Sequence, residues 1–583
     1  MTDAPETAST PKTPGRSGKT WLVASALSLA TALAIISPFI WLGNASGHDF
    51  SFHAASWMDA AAQWREGIVL PRWTDGANHG FGEPRFIFYP PLSWMLGAAL
   101  GLVLPWIYVP AAFIIFVQTL AGLSAFVLGR RFFPQRGALL CAVFFAANPY
   151  ALLIVYMRSD FAEQLAMAFF PLLFLSATEV LGIGQVAEGR SRGRSIVFLA
   201  ITFAAVWLSN APAGVVASYS LAVLIVFTAV FAKSWRPLLY AGSGLALGFG
   251  LAGFYLAPAI HEQSWVSIAQ ALSSGLVPSQ NFLYTMIADP DHNIFNRIAS
   301  TTALLMIVWT AIFAAASRQR RSAPDTPKLM NSRQYQVGVW TPLLLIALTA
   351  TFFMVRVSNR LWIYFPKLRF VQFPWRFMSI LAIPFAAFVA AAITARRPSR
   401  RWTAFTTIAL IAVLAGAATL MVRRTWWDTE DIPVLLEAIQ NDEGFEGVDE
   451  YDPAGDDHTE LPEKSARATP LPASEDSTKA PDAQIDIRRW SAESKEISVS
   501  AHEPLRLSLR ILDYPAWRVD VNGAAVTPQE QNAQTNQIVV PLDAGSSHIV
   551  VSFRRTPDRK FGGVLTVISI LIAIFIFFRR QTT

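Results

Sequence analysis

The chain has 583 residues, 53% of them hydrophobic and 15% charged, with a mean hydropathy of +0.37 and a formal net charge of +6. Long uncharged apolar runs recur along most of its length, which excludes a soluble enzyme and requires a polytopic membrane protein. The positive charge sits in short clusters between those runs, so it sets topology and is no nucleic-acid signal, and the single Cys141 excludes an intrachain disulfide or a cysteine metal site.

Residues 1–20, rich in Thr, Pro and Lys, read as a disordered cytoplasmic tail. The apolar run 21–42 is too long for a signal-peptide core and reads as a retained first span. Lys12, Arg16 and Lys19 before it place the N terminus in the cytoplasm. Further crossings are expected to begin near Trp106, Gly137, Gln164, Ser195, Val215, Leu238, Ser300, Gln336, Pro374, Trp402 and Phe561, about twelve in all, with both termini inside. The basic clusters at Arg130 to Arg136, Arg190 to Arg194, Lys233 and Arg236, Arg318 to Arg333, Arg396 to Arg401, and Arg579 and Arg580 then all fall on cytoplasmic turns. This requires that residues 92–104 do not cross. As a helix they cover about 20 Å, short of the hydrocarbon core of about 30 Å, and a half-helix on the outer face is expected. The expected domains are the tail 1–20, a transmembrane core 21–422 with its first external loop at 43–105, an acidic external segment and linker 423–482, an extracytoplasmic β-sandwich 483–560, and a last span with its tail 561–583.

The first external loop opens with Asp49 and His53, i,i+4 neighbours that can act together. Phe50, Trp57 and Trp64 recur every seven residues beside Ala54 and Ala61, while Asp49, His53, Ser56 and Gln63 line another face. That pattern predicts an amphipathic helix lying in the membrane interface, with Asp49 as an N-cap, a catalytic group, or both. The second external segment, 157–163, puts Arg158, Asp160 and Glu163 at the membrane boundary. Acids there are costly unless paired or functional, so either an internal ion pair with Arg158 or a site is expected. The third, 258–299, carries His261, Glu262, Asp289, Asp291 and His292. The fourth, 355–376, holds Arg356, Arg360, Lys367, Arg369 and Arg376 with no acid among them. A lipid phosphate or pyrophosphate would supply the missing counter-charge, and snorkelling toward headgroups is the alternative.

Ten acids lie between Asp428 and Asp452, and residues 453–481 read as a flexible Pro-, Ala- and Thr-rich linker. Beyond it the pattern alternates. In LRLSLRIL, Leu505, Leu507, Leu509 and Ile511 face one way and Arg506, Ser508 and Arg510 the other; IDIRRW, EISVSA, WRVDVNG, QIVVPL and HIVVSF behave alike. This predicts a small antiparallel β-sandwich without a catalytic constellation, suited to binding or positioning.

The blocks HDFSFHAASW, GIVLPRW, GFGEPRFIFYPPL, YMRSDFAEQLA, GFYLAPAIHE, LRFVQFPWRF, DEYDP and DYPAWRVDVNG carry a resemblance. Over nearly its whole length from Trp21 the chain resembles bacterial membrane proteins labelled "6-pyruvoyl-tetrahydropterin synthase-related", although it shows no His-rich pterin-synthase zinc pattern. Its layout is also similar to the C-superfamily of integral-membrane glycosyltransferases. That resemblance implies transfer of a sugar from a polyprenyl-phosphate or polyprenyl-diphosphate donor to an extracytoplasmic acceptor: a cell-envelope polysaccharide, glycolipid or protein. Asp49 matches the acid of the first external loop, standing in His-Asp-Phe rather than Asp-x-Asp, and Asp160 or Glu163 matches the second acidic motif. Asp49 is then the expected general base, with His53 orienting it and inversion at the anomeric carbon. Arg369 and Arg376, with Arg356 or Arg360, would meet the departing phosphate. Arg158, Asp160 and Glu163, with Arg72, Arg85, Tyr89 and Gln372 from the quoted blocks, complete the expected substrate site, and Asp49, Asp160 and Glu163 could share a divalent cation, Mg or Mn. The expected location is the plasma (inner) membrane. Two other readings compete: a flippase for a lipid-linked saccharide, and a non-catalytic envelope assembly protein working through its β-domain. The flippase needs polar groups deep in the spans, where only Gln118, Asn148 and Asn210 stand out.

Overall fold

The computed structural model describes residues 18–183, 191–318, 340–394, 400–454, 461–474, 481–528 and 536–579. The N-terminal tail up to residue 17, and Arg190, Arg320, Arg321, Lys328, Arg333, Arg396, Arg397 and Arg580 of the basic turns, lie outside these. Among the described residues ten helices are long and apolar enough to cross a membrane. Two bent pairs, Arg236–Leu251 with Gly253–Trp265 (76°) and Trp340–Met354 with Arg356–Tyr364 (82°), raise this to 12 if each pair is one span. These elements stand at the places where apolar runs predict crossings. The helix Pro91–Gly101 has only 11 residues and is too short to span.

The first bent pair packs against the last span, Pro557–Phe578, through two small residues. A Cβ on Gly562 would sit 2.5 Å from the Gly253 carbonyl oxygen, so glycine alone permits this approach.

The helix Phe50–Arg65 departs from the interfacial placement expected of it. Eleven of its 16 residues are buried, on the polar as well as the apolar side, including His53, Asp59 and Gln63. Trp57 stacks on Phe113 of the Trp106–Phe132 span, with centroids 5.1 Å apart. Protein, not lipid, covers the apolar stripe.

A two-residue antiparallel bridge, β1 (Asn44–Ala45) with β2 (Trp427–Asp428), ties the chain after the first span to the chain after the Arg400–Arg424 helix. The remaining strands form the sandwich: β3 (Ala468–Pro472), β4 (Ala483–Ser491), β5 (Ser494–Ala501), β6 (Leu505–Leu512), β7 (Trp517–Val521), β8 (Ala524–Val526), β9 (Gln537–Leu542) and β10 (Gly545–Phe553). One sheet runs β4-β5-β10-β7-β8 and the other β3-β6-β9. Ile497, Val519 and Ile549 of the first meet Leu507, Leu509 and Val540 of the second in one core.

One expectation changes here. Strand β3 falls inside the supposed flexible linker, where it covers the open edge of β6 in register Ala468↔Leu509 to Pro472↔Leu505. Its prolines are tolerated because it is itself an edge strand. The acidic segment is also ordered: the helix Asp431–Gln440 and the turn Asp449–Tyr451 fold onto the first loop, where Tyr451 stacks on Phe88 at 6.0 Å. The sandwich is joined to that loop too, because Trp73 and Phe81 belong to its core.

Candidate active site

The site is organised by the break between two spans. Asn148 restarts a helix at Pro149 by accepting the Tyr150 and Ala151 N–H groups. The last turn, Ile154–Arg158, widens to a π-helix, and Ser159 follows with φ +53°. Asp160 then caps the Phe161–Leu181 helix, accepting the Glu163 N–H at 2.9 Å. The wide turn and the left-handed residue put Arg158 and Asp160 beside one another.

The loop after the first span is laid against this break. Asp49 N–H donates to the Arg158 carbonyl at 2.9 Å, Gly47 N–H to Ser159 Oγ at 3.0 Å, and the Ser159 hydroxyl to the Ala45 carbonyl at 2.7 Å. A Cβ on Gly47 would lie 2.6 Å from backbone atoms of Met157 and Arg158, so the contact requires glycine. Asp49 stands at the N-cap position of the Phe50–Arg65 helix, but its side chain makes no cap bond. It reaches Arg158 Nη2 at 2.5 Å instead.

From there a charged network runs inward. Arg158 Nη2 is 3.4 Å from Asp160 Oδ2, and Arg158 Nη1 is 3.8 Å from Glu163 Oε2. Arg376 reaches Asp160 Oδ2 at 3.3 Å and Glu163 Oε2 at 3.1 Å, and donates to the Val371 carbonyl at 3.0 Å. The Tyr150 hydroxyl donates to Glu163 Oε1 at 2.5 Å. The Arg158 guanidinium lies 5.2 Å from the ring centroids of both Phe373 and Trp375. Three carboxyl groups thus face two guanidinium groups. Burial opposes ionisation of Asp160, but His53 and the two guanidinium groups outweigh it and hold the carboxyl below the usual range. Exposure separates the acids: the side chain is 33% exposed for Asp49, 3% for Asp160 and 1% for Glu163.

Asp49, Arg158, Asp160 and Arg376 line a cavity of about 780 Å³, together with Tyr89 and Gln372. The third external segment and the acidic insert complete its wall with Asp289, Asp291, His292, Glu450 and Tyr451, and Lys367 lines it too. Burial lifts the Glu450 carboxyl above its ordinary range and the Tyr89 phenol well above its own. Lys367 Nζ donates to Gln263 Oε1 at 2.7 Å. Gln372 has φ +62° and donates to the Ala271 carbonyl at 2.8 Å, which fixes the turn ahead of Arg376.

Several expected residues lie elsewhere. His53 is buried, with Nε2 3.8 Å from Asp160 Oδ1 and no hydrogen-bond partner for that atom, so it faces Asp160 and not Asp49. Glu163 stands behind Arg376. Arg85 is buried against Glu83 (2.5 Å) and Ser56 (3.0 Å), under the Phe52 ring. Arg72 pairs with Glu493 at 3.4 Å and lines a different cavity. Arg356, Arg360 and Arg369 are exposed and do not line the chamber. The expected arginine patch therefore shrinks to Arg376 and Lys367, and Arg376 is already paired with acids. Asp49, Asp160 and Glu163 each face a guanidinium, and among the described residues no group of three His, Cys, Asp or Glu side chains is placed to hold a metal ion. Sequence reasoning passed over Tyr150, which carries no pattern, and His48, although it opens the HDFSFHAASW block. It also missed Glu450 and Tyr451, whose signal was the DEYDP block inside an otherwise acidic stretch.

Residues 86–424 match the family described as "6-pyruvoyl-tetrahydropterin synthase related domain; membrane protein". No curated protein matches the chain. Among solved structures the chain is similar to the arabinofuranosyltransferase AftD from Mycobacteria, in a mutant form, with a TM-score of 0.45 and 16% identity over 73% of this chain and 30% of that one. It is also similar to the Archaeoglobus fulgidus oligosaccharyltransferase in the apo form, with a TM-score of 0.37 and 13% identity over 71% of this chain and 56% of that one. The chain thus spans well under two thirds of the length of either.

Proposed function

The chain belongs to the 6-pyruvoyl-tetrahydropterin synthase related family of membrane proteins, and we propose that it acts there as a glycosyltransferase. It takes a sugar from a polyprenyl-phosphate or polyprenyl-diphosphate donor and passes it to an acceptor hydroxyl on the extracytoplasmic side of the plasma (inner) membrane. The basic clusters support that orientation, with both termini cytoplasmic and the chamber and β-sandwich outside.

The observation that carries this reading is the contrast within the acid cluster. Of the three acids that hold Arg158 and Arg376, only Asp49 presents a solvent-accessible carboxylate to the chamber, while Asp160 and Glu163 are buried behind it and keep the two guanidinium groups in place. One Asp49 oxygen holds Arg158, and the other, with no partner among the described residues, takes the acceptor's proton. The acceptor oxygen then bonds to the anomeric carbon as the carbon–oxygen bond to the phosphate breaks. Positive charge develops at that carbon, and the accessible Asp49 carboxylate beside it stabilises it. Arg158 and Arg376 are already engaged by carboxyl groups, so the leaving phosphate meets another cation. Lys367, with no carboxylate paired to it among the described residues, is the chamber cation suited to meet it. A single displacement inverts the anomeric configuration.

The test supplies polyprenyl-phosphate and polyprenyl-diphosphate sugars, one at a time, to the purified full chain with envelope acceptors. Transfer from at least one donor, with inverted product, is expected. Folded protein that transfers from none of them overturns the assignment.

A further inference from the structure

A second cavity, of about 540 Å³, lies away from the chamber, between the Gly253–His261 helix and the last span, with the first loop closing one side at Leu70 to Arg72. Its wall has two chemistries. Arg72, Arg555, Arg559 and Lys560 line the end nearest the β-sandwich, and Phe254, Val564, Val567 and Ile568 line the rest. Lys560, Val564, Val567 and Ile568 follow helical spacing along one face of the last span. From Lys560 to Ile568 the helix rises about 12 Å, the distance from a lipid headgroup into the upper acyl chain. Val564 and Val567 are each 57% exposed, so the apolar half opens toward the bilayer.

The cations are unequally satisfied. Arg559 is clamped by Glu262 through two bonds of 2.7 and 2.6 Å, and Arg72 pairs with Glu493. Arg555 and Lys560 are exposed, and among the described residues neither side chain has a hydrogen-bond or ion-pair partner. Four cations stand near three carboxylates, Glu262, Glu493 and Asp558. Four against three leaves one positive charge unmatched.

We propose that this cavity binds a membrane phospholipid, with its phosphodiester between Arg555, Lys560 and Arg72 and an acyl chain along Val564, Val567 and Ile568. A phosphodiester carries the single negative charge that the rim leaves unmatched, and the slot continues into the apolar surface of the span. The bound lipid would join three parts of the chain, namely the first loop, the exit from β10 and the last span. This site is independent of the chamber and of the transfer reaction proposed for it.

Native mass spectrometry of the full chain in detergent with added phosphatidylglycerol tests this. The wild type is expected to retain one lipid. The pair Arg555→Ala, Lys560→Ala is expected to retain at least tenfold less, and Val564→Trp, which fills the slot, should lose it as well. Arg356→Ala with Arg360→Ala, two exposed arginines elsewhere, should retain it. Phosphatidylglycerol should also raise the melting temperature of the wild type and of neither cavity variant. Equal retention by wild type and both cavity variants overturns the proposal, as does equal loss in the Arg356, Arg360 control. Loss of a polyprenyl monophosphate, with phosphatidylglycerol kept, in the Arg555, Lys560 variant overturns it in favour of an isoprenoid site.

Discussion

Asp49 and Asp160 carry the same carboxyl group, and their surroundings give them different work. Asp160 sits between Arg158 and Arg376 with its side chain 3% exposed. Removing one partner of such a pair strands the others, at a cost of about 3–5 kcal/mol. Asp160→Asn is therefore expected to lower the melting temperature and the transfer rate together; a loss of transfer at an unchanged melting temperature would contradict the positioning role. Lys367 is exposed, and among the described residues its side chain bonds only to Gln263. Lys367→Ala should keep the melting temperature and raise the donor KM roughly tenfold, as expected for one lost charge-assisted contact of about 1.5 kcal/mol. Arg369→Ala, outside the chamber, should leave kinetics unchanged. The paired acids and Arg376 were legible in the sequence because charges at a membrane boundary are costly without a purpose. Arg356, Arg360 and Arg369 read the same way, yet they face outward. A run of cations shows that counter-charge is wanted and does not show where each side chain points.

The Phe50–Arg65 helix shows where periodicity stops informing. Its seven-residue aromatic repeat fits a lipid interface or a protein core equally, since both are apolar, and neighbouring elements decided for the core. The clearest trace of that burial is Asp59, whose carboxyl is pushed up to about 8 by desolvation, with Asp75 adding to the effect and Arg85 opposing it. An unfolded Asp ionises near about 4. Between those two values folding keeps a proton that the unfolded chain would release, so the stability associated with this group is fully present below about pH 4 and is lost as pH rises through about 8. Asp59→Asn cannot ionise and keeps an acceptor for Gln63 and the Asp75 N–H. It should stabilise the protein by at least about 1 kcal/mol more at pH 8 than at pH 5 in paired melting curves. An equal effect at both values would show that Asp59 is not held protonated. Strand β3 teaches a related point. Its Pro-rich composition reads as linker, but an uncovered edge on β6 gave those residues a partner.

At the scale of the molecule, hydropathy and the basic clusters located every candidate crossing, because the bilayer demands satisfied backbone over a fixed thickness. They did not reveal the two bends, which depend on local packing. Nor did they reveal that the sandwich shares a core with the first loop. Trp73 is 1% exposed and lies 5.2 Å from Trp517, so Trp73→Ala should cost about 3–5 kcal/mol and loosen the sandwich and chamber together. Protease protection of the sandwich that survives this change would show that the two are independent. Deleting the sandwich is accordingly a poor way to separate an enzyme from an assembly factor. The transporter reading also loses support. Of the three polar residues it would need within spans, Asn148 and Asn210 are engaged as helix caps, and the buried Gln118 amide nitrogen alone has no hydrogen-bond partner among the described residues.

The central claim is that the exposed carboxylate of Asp49 takes the acceptor's proton. The most direct measurement is single-turnover sugar transfer by purified Asp49→Asn, with donor binding and the melting temperature followed on the same sample. Intact binding and melting with transfer slowed by about a hundredfold or more is the predicted result. Transfer at the wild-type rate by the folded variant would contradict it.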